Sequence, residues 1–166
     1  MPVPSTTVRR PSAPCRRWSD ESAISLVETV IVCALIVTLA SLAAGMLVGA
    51  LKVARITRAI GDLRSLDVEI REFYVRNKRH PTSLGEVRGA PPIDPWGRPY
   101  VYTDLSQPGS RGRARKDGRL NPINADFDLY SVGEDGRSTA PLTAPMSHDD
   151  VIRARDGAFL GLARDF

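Results

Sequence analysis

From Ser22 to Lys52 the chain reads SAISLVETVIVCALIVTLASLAAGMLVGALK, an apolar run with a single acid, Glu28, near its start. No charged side chain falls within 30–51. At about 1.5 Å per residue, a helix of that length spans the roughly 30 Å hydrocarbon layer of a bilayer. A core helix of a soluble domain would carry a polar stripe, and Thr38 and Ser41 do not make one. The pattern predicts a transmembrane helix over 24–51. Beyond it, Ile56, Ile60, Leu63, Leu66, Ile70, Phe73 and Tyr74 recur at steps of three and four, with Arg58, Asp62, Arg64, Asp67, Glu69 and Arg71 between them. The helix should therefore continue, now amphipathic, over 52–80, until Pro81 disfavours helix at His80.

After Pro81 the patterns shorten. PPIDPWGRPYVYTD joins a turn rich in Pro and Gly to an alternating strand at Tyr100, Val101 and Tyr102, and DFDLYSVGEDG offers a second strand ending in Asp-Gly turn chemistry. The expected fold class is α+β: a long N-terminal helix packed on a small antiparallel sheet, with a globular head over 81–166. In the tail, Val151, Ile152, Phe159, Leu160 and Leu162 suit either a short terminal helix or a partner contact.

Charge changes this picture little. Of a net +4, half belongs to residues 1–23, where Arg9, Arg10, Arg16 and Arg17 face Asp20 and Glu21. That basic leader places the N-terminus in the cytoplasm by the positive-inside rule, although Lys52, Arg55 and Arg58 on the far side soften the contrast. A second basic stretch, QPGSRGRARKDGRLNPINAD at 107–126, reads as a solvated loop insertion or as an anion-binding patch of Arg111, Arg113, Arg115 and Lys116. No aromatic residue interleaves with these arginines, so no stacking platform for nucleic acid is expected. Cys15 lies in the leader and Cys33 in the apolar run, which leaves no disulfide framework for the head. Neither a nucleophile elbow, a phosphate loop nor a His-Glu-x-x-His pattern occurs, and no enzymatic activity is expected.

The stretch AISLVE resembles the leader junction of type IV pilins and of type II secretion pseudopilins. The resemblance implies that a prepilin peptidase cuts between Ala23 and Ile24, and that Ile24 becomes an N-methylated first residue with Glu28 fifth. The family usually has Gly before the cut and Phe after it, where this chain has Ala23 and Ile24. HPTSL at 80–84, DPWGRPYVY at 94–102 and DLYSVGEDG at 128–136 resemble, in the family's order, segments of the major pseudopilins. The 107–126 stretch and the tail depart from them. What the resemblance implies is a homopolymeric periplasmic pseudopilus that helps drive folded proteins across the outer membrane. Its subunits are stored in the inner membrane and work with minor pseudopilins and an assembly platform. Glu28 would pair with the α-amino group of a neighbouring Ile24 and set the register. An interfacial Glu28 hydrated by headgroups is the plainer reading of the residue alone.

The resemblance further implies one structural calcium ion, with Asp135, Asp149 and Asp150 as carboxylate ligands and the carbonyls of Val132 and Arg137 completing the shell. Hard oxygen donors suit calcium, although the spacing does not fit an EF-hand. The intervening loop, 136–148, is longer than the family's. Without the resemblance, Asp135-Gly136 reads as a turn and Asp149-Asp150 as a solvated pair or a helix cap. A type IV pilin or minor pseudopilin is the near alternative. A single-pass calcium-binding module that never polymerises is the alternative from another class, and it would have no need of Glu28 beside a cleavable junction.

Overall fold

The computed structural model describes residues 25–118 and 120–166. The chain divides into two compact units, Met1–Ala43 and Ala44–Phe166. Helix α1, Leu26–Asn77, has 52 residues and contributes to both.

In the first unit the described residues from Leu26 on are helical and exposed. The hydroxyls of Thr29, Thr38 and Ser41 donate to the carbonyls of Ser25, Leu35 and Val37 at 3.4, 2.9 and 2.8 Å. Turning a hydroxyl back onto its own helix satisfies it without water, which is what an apolar surrounding demands. Among the described residues α1 is the one helix long and apolar enough to cross a membrane.

In the second unit, the three-and-four spacing of α1 places Ala59, Leu63, Leu66, Ile70 and Phe73 on one buried face. Tyr74 turns outward and is 46% exposed. The helix ends at Asn77, short of the expected boundary, because Lys78 takes a left-handed conformation (φ 58) and its N–H closes on the Tyr74 carbonyl at 2.8 Å. A short helix α2, Leu84–Arg88, follows the HPTS exit. The Arg88 guanidinium grips both oxygens of Glu69 at 2.6 Å and ties α2 to α1.

Four strands form one antiparallel meander: β1 (Val101–Asp104), β2 (Phe127–Ser131), β3 (Val151–Ala154) and β4 (Phe159–Leu162), in the order β1-β2-β3-β4. β1 and β2 are the two strands expected from the alternation. β3 and β4 occupy the tail, so its apolar positions lie in strands of the sheet and not in a helix or a free contact segment, and only a 3-10 turn, Ala163–Asp165, follows them. Strand alternation sorts their side chains to opposite faces. Phe127, Leu129, Val151 and Leu162 join the α1 stripe, whereas Ile152 and Ala154, with Tyr130 and Phe159 partly buried beside them, build a second cluster. Ile123 and Leu142 cover that second cluster. The 107–126 stretch is thus part of the core and not a wholly solvated loop.

Arg153 on β3 points to the helix side at 1% exposure. It reaches Asp67 of α1 at 2.5 Å and Asp126 at 2.8 and 2.7 Å, and it lies 3.9 Å from the Phe127 ring centroid. Burial alone would raise the Asp126 carboxyl, but Arg153 and the Phe127 N–H hold it below its ordinary value.

Candidate functional site

Two places carry the functional expectations. The first is the start of α1, where Glu28 stands in the first turn, the end whose free N–H groups favour a carboxylate. It is exposed, as are Leu26, Val27, Val30 and Ile31 around it. Ala23 and Ile24, the junction residues, lie outside the described residues with the rest of the leader.

The second is the loop joining β2 to β3, and its frame begins at the DPWGR turn. Asp94 Oδ1 accepts from the N–H groups of Trp96 and Arg98 at 3.0 and 2.8 Å, and its Oδ2 accepts from the Ser131 hydroxyl at 2.6 Å. Gly97 turns the chain there with φ 86. Arg98, so aimed, donates to the carbonyls of Gly133, next to Val132, and of Glu134, at 2.6 and 3.2 Å. Gly133 has φ 68, and a Cβ on it would collide with the Asp149 carbonyl. Its glycine is required twice over, by conformation and by space. Glu134 in turn meets Lys52 of α1 at 2.6 Å, a pairing that lowers its carboxyl.

Each of the three expected ligand aspartates has a place in this loop, and the places differ. Asp135 Oδ1 accepts from the Arg137 N–H at 2.7 Å, and Asp149 Oδ2 accepts from the Asp135 N–H at 2.9 Å. Asp150 is fully buried and faces the other way, to Arg115 and Ser138, whose Nη2 and Oγ lie 2.5 and 2.6 Å from its Oδ2. Burial pushes its carboxyl up to about 6, against the lowering effects of Ser138 and Arg115. Among the described residues no three His, Cys, Asp or Glu side chains are grouped to hold a metal ion. The arrangement therefore brings Asp135 and Asp149 together and does not bring Asp150 to them. It does not fit the calcium shell that the resemblance implied.

Arg98 and Arg115 hold this loop, and the sequence reading gave neither that part. Arg98 lay unremarked inside a recognisable motif. Arg115 belongs by sequence to a basic patch, yet it is 3% exposed and is closed to anions in solution. The available signal was the pairing of two departures: a lengthened loop and a basic insertion occur in the same chain.

No family model matches the chain, and no solved structure matches it significantly. Among curated proteins, the type II secretion system core protein G of Pseudomonas aeruginosa is 25% identical over 139 residues, covering 71% of this chain and 87% of that protein. That similarity agrees with the long α1 packed through its second half on an antiparallel sheet, a pilin-like α+β architecture. The chain is thus similar in sequence, at a distance, to a type II secretion system core protein G, a major pseudopilin, and its long helix packed on an antiparallel sheet is consistent with that similarity.

Proposed function

We propose that the chain is a structural subunit of a type II secretion pseudopilus. A prepilin peptidase cuts it between Ala23 and Ile24, Ile24 is N-methylated, and the subunit waits in the inner membrane with its head in the periplasm. There it polymerises, together with minor pseudopilins and the inner-membrane assembly platform, to help drive folded proteins across the outer membrane. The observation that carries this reading is the first half of α1: apolar side chains exposed all round, with one acid in the first turn. Such a surface needs either lipid or other helices, and a carboxylate at that depth costs up to about 2.5–3.5 kcal/mol unless a cation meets it. The α-amino group released by cleavage is a cation at the same level. The role is structural and asks for no catalytic residue.

Intact mass of the membrane-extracted chain tests the processing step. A chain beginning at Ile24 with one added methyl group is expected, and Ala23→Leu should retain the leader because a branched side chain replaces a small one at the scissile bond. A wild-type chain carrying all 166 residues would contradict it.

A further inference from the structure

We infer that Arg115 is the resident cation of the β2–β3 loop, taking up Asp150, one of the acids the resemblance assigned to calcium, so that the head holds its fold without a metal. Two segments that depart from the pseudopilin pattern, 107–126 and 136–148, meet at this residue. The backbone of the first is laid on the second: the Lys116 N–H donates to the Ala140 carbonyl at 3.0 Å, and the Leu142 N–H donates to the Lys116 carbonyl at 2.8 Å. Arg115 is anchored at its own backbone, its N–H donating to Asp128 Oδ2 at 2.6 Å and its carbonyl accepting from Ile123 at 3.0 Å. From there its guanidinium spans the loop. One nitrogen, Nη1, serves Ser138 Oγ and the Thr139 carbonyl inside the loop, and the other, Nη2, serves Asp150 at its end. Tyr130 lies beneath it, 4.3 Å from ring centroid to guanidinium carbon.

These are duties a metal could have in such a loop: one buried positive charge, oxygen atoms gathered from its interior and its end, and no disulfide to share the work. A planar guanidinium suits such a set because it presents several donors in fixed directions. The free oxygen of Asp150, Oδ1, is buried and has no hydrogen-bond partner. A divalent ion reaching it would sit beside the guanidinium, where like charges at low dielectric repel strongly. Asp135 and Asp149 are meanwhile engaged with loop N–H groups and do not turn toward Asp150.

Thermal unfolding of the full-length chain in detergent decides the matter, with calcium chloride as the only added ligand. The wild type should melt at the same temperature, within about one degree, in millimolar calcium and in chelator. A ligand bound only to the folded state would raise that temperature with its concentration. Arg115→Ala should lower melting by about ten degrees or more, as expected when one member of a buried pair is lost. Adding Asp150→Asn to that variant should recover part of the loss, because the uncompensated carboxylate is then gone. Calcium titration into the wild type, followed by calorimetry, keeps the test open if Arg115→Ala does not fold, and no saturable heat is expected. Overturning results are a calcium-dependent rise in wild-type melting, a saturable binding heat, wild-type stability in Arg115→Ala, or no recovery on adding Asp150→Asn.

Discussion

Buried charge decides more in this head than its few carboxylates would suggest. Arg153 has no solvent of its own and depends on Asp67 and Asp126. Removing the side chain leaves two acids without their cation, so Arg153→Ala should cost about 3–5 kcal/mol in chemical denaturation. Asp150 makes a prediction of opposite character. Burial pushes its folded carboxyl up to about 6, above the ordinary 3.8, with Ser138 and Arg115 opposing the rise and the charge of Asp149 adding to it. Between those two values the folded chain binds a proton that the unfolded chain does not. This group's contribution to stability therefore grows as pH falls from about 6 to about 4, and its penalty is complete above 6. A shift of that size is worth roughly 3 kcal/mol. Asp150→Asn should flatten that part of the stability curve, and an unchanged pH dependence would contradict the assignment. Gly133→Ala should be among the worst single changes, since it adds a strained backbone to a collision with Asp149.

At the scale of elements, α1 was the most legible part of the chain. A charge-free run of membrane length followed by a three-and-four stripe leaves few alternatives: of the stripe residues, Leu63, Leu66, Ile70 and Phe73 are buried, Ile56 and Ile60 partly so and Tyr74 exposed, while Ala59, which the stripe did not name, is buried with them. Leu63→Ala should cost about 2–5 kcal/mol, whereas Val75→Ala on the outer face, 63% exposed, should change stability by less than about 0.5 kcal/mol. β1 and β2 were legible from alternation beside Pro and Gly. β3 and β4 were not, for a physical reason: every residue of β3 is buried, Val151 and Arg153 toward α1 and Ile152 and Ala154 toward the second cluster. A strand buried on both faces shows no period of two, and nothing in the sequence marks its arginine as buried. The same blindness hid the covering role of 107–126. Among the described residues, Ile123 is the one of that stretch in the second cluster, which it shares with Leu142 from another loop, residues far apart in sequence. Leu142→Ala should destabilise the head by about 2 kcal/mol or more if that cover is part of the core. A loss below about 0.5 kcal/mol would return both segments to the status of surface loops.

For the whole molecule, the site expectations divide by how they were reached. The loop entrance from Ser131 to Gly136 was legible as turn chemistry, and the structure adds what fixes it: Asp94 and Arg98 of the DPWGR turn. The ligand set for calcium came from the resemblance, and nothing in the composition of 107–126 announced that one of its arginines would be carried into the loop. The proposed assembly draws on Glu28 and on the exposed apolar surface of α1, a surface that calls for lipid or further helices around it. The most direct measurement is filament formation by cells carrying the secretion apparatus and expressing either the wild type or Glu28→Ala, with subunits counted in membranes and in filaments released after the outer membrane is opened. Removing one charge favours the bilayer, so both chains should insert equally. The wild type should then appear in filaments and Glu28→Ala should not. Filaments of equal abundance from Glu28→Ala would contradict the account.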